Sequence, residues 1–167
     1  MKAGFMERYK AMTFYSRKSP RIPNYDYSSE NYYFITICAH EKRCIFGSVN
    51  ALNTIGLIVS KHIEQIQMHY QTVNVDKYVV MPNHVHLILY LDSGKEADTR
   101  HIIGQFKSGV SREVRKLYPD IQLWQRSFHD HVIRNQADYE RIWLYIEGNP
   151  LRWEQDCFFM ELPESDS

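Results

Sequence analysis

The chain has 167 residues, a formal net charge of zero and an aromatic content of 14%. This length suits one domain with a substantial core, and no segment approaches the roughly 20 apolar residues of a membrane span. Its N-terminus lacks a signal-peptide core. The three cysteines form no C-x-x-C pair, which is typical of a reduced, cytoplasmic protein. Zero net charge, taken alone, argues against a nucleic-acid-binding protein.

The charge is unevenly distributed along the chain. Residues 154–167 contain five acidic residues and no lysine or arginine, so residues 1–153 carry 20 basic and 15 acidic side chains, a net charge of +5. An acidic tail beside a basic body is able to shield a polyanion site; a solvated terminus is the simpler interpretation. We therefore divide the chain into a basic N-terminal arm at 1–30, one domain at 31–153 and an acidic tail at 154–167.

The predicted elements follow from hydrophobic spacing and from helix-capping residues. Asn53 or Thr54 caps a first helix, Thr99 caps a second, and Pro150 ends the last. In chain order we predict an extended arm at 1–30, a strand at 32–38, a helix to about residue 70, strands at 73–80 and 84–91, a helix at 99–117, an extended segment at 123–133 and a helix at 136–148. This order predicts an α+β sandwich of the ferredoxin-like (RRM-like) type, with an antiparallel sheet and its helices on one face.

Two histidines, His84 and His86, lie one residue apart in the apolar segment 84–91. In a strand they share a face, with Cα atoms roughly 7 Å apart, so both imidazoles are able to reach one metal ion. Because burying an unpaired polar ring costs free energy, we do not expect this strand to be buried on both faces. A histidine in an apolar strand is more often a hydrogen-bonded core residue than a metal ligand. His129 and His131 repeat the spacing, so the spacing alone does not choose between the two pairs.

The last predicted helix has an apolar face and a polar face. Tyr145 lies on the polar face with Asp138, Arg141 and Asn149, whereas the apolar stripe consists of Tyr139, Ile142, Trp143 and Ile146. A tyrosine hydroxyl beside a guanidinium and an amide suits chemistry on an anion. An exposed tyrosine with ordinary surface contacts is the alternative.

Several segments together resemble the IS200-like single-tyrosine HUH transposases, in particular the REP-associated tyrosine transposases. His84-Val85-His86 resembles their histidine–hydrophobe–histidine motif, and residues 145–150 resemble their Tyr-Ile-x-x-Asn-Pro motif. Supporting matches lie at 25–27, 33–38, 124–126 and 131–135, so the resemblance covers roughly residues 17–156. No single motif decides the assignment, but their joint presence and order indicate this family.

The resemblance implies a metal-dependent enzyme that cleaves and rejoins single-stranded or hairpin DNA. His84 and His86 would ligate Mg²⁺ or Mn²⁺, with Asn149 as a third ligand, and the ion would polarise the scissile phosphate. Tyr145 would attack phosphorus and leave a 5′-phosphotyrosine link and a free 3′-hydroxyl. Mg²⁺ prefers oxygen ligands, whereas two of these ligands are imidazoles, so the identity of the ion stays open. Pro150 disfavours helical geometry at Asn149. In the alternative interpretation, Asn149 caps the helix and does not reach the metal.

The basic residues supply the candidate phosphate contacts. These are Arg17, Arg21, Lys107, Arg112, Arg126, Arg134 and Arg141. A non-catalytic module that binds single-stranded nucleic acid on aromatic platforms is the second hypothesis, and a small zinc protein without useful cysteine ligands is the weakest. Tyr145 with Asn149 favours the enzyme, because binding alone needs neither. The sequence leaves monomer and homodimer open, and it does not identify the base that activates Tyr145.

Overall fold

The computed structural model describes residues 22–93 and 98–160, so Arg17, Arg21 and most of the basic arm lie outside the described residues. The strands are β1 (Asn31–Cys38), β2 (Gly47–Ser48), β3 (Ala51–Leu52), β4 (Val73–Val80), β5 (His84–Leu91) and β6 (His129–Ile133). The helices are α1 (Thr54–His69), α2 (Thr99–Arg115) and α3 (Gln136–Gly148), with 3₁₀ helices at His40–Lys42 and Pro150–Gln155.

Four strands form one antiparallel sheet in the order β4-β5-β1-β6. Helix α1 connects β1 to β4, and α2 connects β5 to β6. This is the predicted ferredoxin-like arrangement, so the predicted fold class and antiparallel sheet are confirmed. The extended segment predicted at 123–133 is shorter as a strand, because only His129–Ile133 pairs with β1; before it, Trp124 forms an isolated bridge to Ala39.

The helix starts are fixed by side-chain caps. The Asn53 amide oxygen accepts a hydrogen bond from the Gly56 N–H at 3.0 Å, as predicted for α1. For α2 the predicted cap is wrong: Asp98, not Thr99, accepts the His101 N–H at 2.7 Å. A carboxylate there also faces the positive end of the helix dipole, so aspartate is the stronger cap.

The larger core lies between one face of the sheet and helices α1 and α2. Strand β5 contributes Val85, Leu87 and Leu89 to it, and β1 contributes alternate residues in the same way. The predicted apolar residues of α2 are all buried there, namely Ile102, Ile103, Phe106, Val110 and Val114. Tyr27, from the segment assigned to the arm, is also buried in this core.

Helix α3 packs on the opposite face of the sheet. Its Ile142 and Ile146 contact Phe34, Ile88 and Ile133. The helices thus lie on both faces of the sheet, not on one face as predicted. The central strands β1 and β5 carry apolar side chains on both faces, and each face has to be covered by a helix. The expectation that the histidine-bearing strand is half exposed is wrong for the same reason. No helix in the described part of the chain has both the length and the apolarity to cross a membrane.

Gly56 lies where the first turn of α1 passes the backbone of Phe46. A Cβ atom added at Gly56 would lie 2.1 Å from the Phe46 carbonyl oxygen, so the two backbones would have to separate. We expect Gly56→Ala to lower the free energy of unfolding by about 1–3 kcal/mol, measured by urea denaturation.

Gly104 on the exposed side of α2 is the matched control. A Cβ there meets nothing within 4 Å. Gly104→Ala should raise the free energy of unfolding by up to about 1 kcal/mol, because alanine favours the helix. Equal stability of the two alanine variants would contradict the close approach at Gly56.

Candidate active site

His84 and His86 lie side by side on the α3 face of β5. Their ring centroids are 4.4 Å apart at an interplanar angle of 67°. Both residues are 0% exposed, as expected for a strand covered on both faces. A buried imidazole pair must therefore satisfy its ring nitrogens within the protein or through a bound ion.

The Asn83 side chain fixes the tautomer of His84. Both protons of its amide nitrogen are directed to backbone carbonyls, those of Lys42 and Phe158, each at 2.8 Å. The amide oxygen of Asn83 lies 2.9 Å from His84 Nδ1. Because this oxygen is able only to accept, His84 Nδ1 is the donor. His84 Nε2 then carries the lone pair, and this buried atom has no hydrogen-bond partner among the described residues. A lone pair held in this way suits a metal ion.

His86 is held from the neighbouring strand. Thr36 is its direct partner in the β1–β5 register, and the Thr36 hydroxyl lies 2.8 Å from His86 Nδ1. The other ring nitrogen, Nε2, lies 3.4 Å from the hydroxyl oxygen of Tyr145. Both histidines thus have Nδ1 bound to the protein, which leaves Nε2 for chemistry.

Tyr145 reaches His86 because α3 crosses this face of the sheet. The Tyr145 ring lies 5.2 Å from the His86 ring and 6.1 Å, edge-on, from Phe34. The predicted polar face therefore points into the interior at this position. It is more than a solvated surface.

Contacts to β4 hold α3 in this position. The Lys77 ammonium pairs with Glu147 and lies 4.0 Å from the centroid of the Trp143 ring. The Tyr139 hydroxyl donates to Asp76, and burial together with this carboxylate raises the pKa of Tyr139 to about 12. Tyr139 and Trp143, predicted on the apolar stripe, are thus only half buried, and Ile142 and Ile146 form its buried part.

A third candidate ligand, Asp156, comes from the segment that the sequence assigns to the acidic tail. The ligand atoms of His84, His86 and Asp156 all lie within 4.8 Å of one another. Asp156 follows the 3₁₀ helix Pro150–Gln155, and its carboxylate accepts the Phe158 N–H at 2.7 Å. Burial raises the pKa of Asp156, against the opposing effect of hydrogen bonds. The signal that sequence reasoning missed is aromatic: Trp153 and Phe158 lie on either side of Asp156 in the sequence.

Asn149, the third ligand expected from the resemblance, lies beside this group. It is 3% exposed, and neither of its amide atoms has a partner in hydrogen-bond geometry within the described residues. Its amide lies close enough to the Asp156 carboxyl to oppose the rise of that pKa. The backbone of Asn149 is helical, with φ −59° and ψ −46°, although Pro150 follows. The proline is tolerated because it begins the next 3₁₀ helix, where no amide proton is needed.

Aromatic rings close the group from outside. Phe158 lies 4.6 Å and Trp153 6.1 Å from the His84 ring, measured between centroids. Burial lowers the pKa of His84 well below its usual range, helped by the charges of His86 and Lys42, and burial lowers the pKa of His86 to about 3. Both rings are therefore neutral at pH 7, which is the state that binds metal ions.

The second histidine pair lies on the same face but has different partners. His129 is opposite Thr36 in the β1–β6 register, and His131 Nε2 lies 2.8 Å from the Asp138 carboxylate. Burial alone would raise the pKa of Asp138, but hydrogen bonds from His131 and Arg141 hold this pKa below its usual value. In the described part of the chain, only His84, His86 and Asp156 form a group of three potential metal ligands.

The candidate phosphate contacts do not form one surface. Lys107 is committed to the Gln125 and Arg126 carbonyls, at 2.6 and 3.2 Å, and burial lowers its pKa. With Arg112, it lines a 590 Å³ groove beside Trp124, on the α2 side of the sheet. Arg134 and Arg141 lie in the β6–α3 region instead, where Arg141 pairs with Asp138.

Two Haemophilus influenzae proteins are similar to this chain in sequence. A Haemophilus influenzae protein of uncharacterised function is 34% identical over 87% of this chain and 94% of its own length. Another protein of that organism, which carries the name REP-associated tyrosine transposase, is 24% identical over 76% of this chain and 74% of its own.

Two solved structures share the fold. One is a REP-associated tyrosine transposase bound to a REP hairpin, with TM-score 0.59 and 20% identity, covering 79% of this chain and 73% of that one. The other is a Deinococcus radiodurans R1 protein described as a transposase, with TM-score 0.52 and 14% identity, covering 78% of this chain and 97% of that one. The family described as "Transposase IS200 like" matches residues 27–149. This match spans most of the chain, including His84, His86, Tyr145 and Asn149, and the chain therefore belongs to the IS200-like transposase family.

Proposed function

We propose that this transposase cleaves and rejoins single-stranded DNA through a covalent bond between Tyr145 and a 5′ phosphate. The observation that supports it best is the position of the Tyr145 hydroxyl, 3.4 Å from Nε2 of His86 at the edge of the group formed by His84, His86 and Asp156. A module that only binds nucleic acid needs neither the group nor the tyrosine beside it.

The donor set fits a divalent cation. The Nε2 lone pair of His84 is buried and has no partner among the described residues, and the ligand atoms of His84, His86 and Asp156 lie within 4.8 Å of one another. We propose Mg²⁺ or Mn²⁺; two imidazoles suit Mn²⁺ better than Mg²⁺. When bound, the ion would act as a Lewis acid toward the scissile phosphate. Asn149 is a further proposed ligand, because its buried amide lies beside Asp156.

The residues of the chain bring the nucleophile to phosphorus. The Tyr145 oxygen forms a bond to phosphorus as the bond from phosphorus to the 3′-oxygen breaks; the phenol loses its proton and the departing oxygen gains one. Phe34 and His86 flank the Tyr145 ring and fix its direction. The phosphotyrosine link retains the energy of the phosphodiester, so a second 3′-hydroxyl is able to reverse the step and join a new strand.

We propose that the substrate is single-stranded or hairpin DNA. The similar structure of a REP-associated tyrosine transposase bound to a REP hairpin supports this choice. Arg134 and Arg141 are proposed contacts near the cleaved strand, and Arg112 is a proposed contact on the α2 side. Arg17 and Arg21 belong to the basic arm, which we propose as a further DNA contact.

Tyr145→Phe tests the nucleophile. The substitution removes only the phenol oxygen, so DNA and Mn²⁺ binding should survive while cleavage and the covalent adduct disappear. The measurement is a denaturing gel of protein incubated with labelled single-stranded hairpin DNA and Mn²⁺.

Tyr139→Phe is the matched control for the nucleophile. It should keep the adduct and lose about 1 kcal/mol of stability, because its hydroxyl donates to Asp76. An adduct formed by Tyr145→Phe would place the nucleophile on another tyrosine.

Histidine substitutions test the metal group. We expect His84→Ala and His86→Ala each to abolish Mn²⁺ binding in calorimetric titration, whereas His129→Ala binds normally. Circular dichroism of the metal-free variants checks that each one is folded. Unchanged Mn²⁺ affinity in both variants of the first pair would refute the assignment.

The third ligand is tested separately. Asp156→Asn should weaken Mn²⁺ binding at least about tenfold, as loss of a metal-site interaction typically does. Asn149→Ala, measured in the same titration, shows whether the amide contributes as well. Full affinity in Asp156→Asn would remove this carboxylate from the site.

A competition assay tests the form of DNA. At matched salt, the protein should prefer a hairpin with a single-stranded end over a blunt duplex of equal length, because the site acts on an exposed strand. Equal or tighter binding to the duplex would count against the proposed substrate.

A further inference from the structure

The turn after β1 holds two consecutive non-glycine residues in the left-handed region. Glu41 has φ 54° and Lys42 has φ 55°. This conformation is unfavourable for residues with a Cβ atom, and it persists where the surrounding structure enforces it, often at functional sites. Here the Lys42 N–H donates to the Ala39 carbonyl at 3.0 Å, and the Arg43 N–H donates to the His40 carbonyl at 3.2 Å.

The same turn is tied to the metal group through Asn83. The Asn83 amide nitrogen donates to the Lys42 carbonyl at 2.8 Å, while its amide oxygen accepts from His84 Nδ1. The position of Lys42 is thus fixed relative to His84 by a single side chain.

The Lys42 side chain extends toward the same group. Its Nζ lies 5.0 Å from the centroid of the Phe158 ring, and that ring lies 4.6 Å from the ring of His84. Among the described residues, no carboxylate lies within ion-pair distance of the Lys42 ammonium. Its positive charge nevertheless acts on nearby side chains. It contributes to the lowered pKa values of His84 and His129, and it opposes the rise of the Asp156 pKa.

We propose that Lys42 binds a backbone phosphate of the DNA strand that lies against Tyr145. This assignment rests on the proposed function and adds a substrate-binding residue to it. An ammonium on a long, flexible stem is a compact point charge with three donors, and it is able to leave the face of Phe158 for a phosphate oxygen.

The first test measures how DNA binding depends on salt. In a Tyr145→Phe background, which prevents cleavage, Lys42→Gln should reduce the slope of log K against log salt for a single-stranded oligonucleotide by about 0.7, the value for one phosphate contact. Lys42→Arg should keep the slope.

Lys61→Gln is the charge-matched control. Lys61 lies on α1, on the other face of the sheet, where it pairs with Glu113 at 2.9 Å. Its loss should leave the slope unchanged. Urea denaturation checks that each variant is folded, and an unchanged slope in folded Lys42→Gln would overturn the proposal.

The second test locates the phosphate. Oligonucleotides carrying one neutral methylphosphonate, moved linkage by linkage past the cleavage position, should bind the Lys42 protein more weakly at one linkage. Lys42→Gln should show no penalty at that linkage. The same penalty at every linkage in both proteins would refute a direct contact.

The two proposals fail in different ways. If the wild-type protein forms the adduct but Lys42→Gln shows normal salt and methylphosphonate behaviour, only the Lys42 assignment is wrong. If Lys42→Gln removes the methylphosphonate penalty at one linkage but the wild-type protein forms no adduct, Lys42 binds DNA and the proposed chemistry is wrong. Absence of any binding to single-stranded DNA refutes both.

Discussion

The side-chain amide of Asn83 is the constraint on which the site depends. An amide has one donor group and one acceptor, and here two carbonyls take both donor protons. The acceptor therefore faces His84, and the imidazole has to present Nε2 as a lone pair. One side chain thereby ties together the Lys42 turn, the Phe158 segment and β5. Asn83→Asp would turn the contacts with the Lys42 and Phe158 carbonyls into repulsive ones, while the other carboxylate oxygen would still accept from His84 Nδ1.

The burial that encloses the site also determines its protonation. A half-exposed strand would leave His84 and His86 able to titrate near neutrality, whereas cover by α3, Trp153 and Phe158 keeps both rings neutral. Neutral, oriented imidazoles cost less to bring to a cation, because no proton has to be displaced first. The proposed active site therefore lies on the second face of the sheet, while the first face, with α1 and α2, carries most of the packing.

Local patterns predicted the parts of the molecule that depend on neighbouring residues. Period-2 spacing placed His84 and His86 on one face, and 3.6-residue spacing placed Tyr145 off the apolar stripe of α3. Hydrophobic spacing gives the direction of an apolar face but not the face of the sheet it covers, so the position of α3 could not be predicted. Asp156 was missed because five acidic residues resemble a solvated tail, and the left-handed backbone of Lys42 has no signal in composition. Both depend on contacts with residues far away in the chain.

The contacts around Asn83 also constrain when the protein becomes capable of reaction. Its hydrogen bond to the Phe158 carbonyl joins residues 75 positions apart, and the contact between Tyr145 and His86 spans 59. Such non-local contacts form late in folding, after the entropy of closing long loops has been overcome. During synthesis, the sheet strands β1, β4 and β5 emerge well before Phe158 does. A growing chain therefore has the proposed cleavage centre assembled only after Phe158 has been synthesised, so incomplete copies lack that centre.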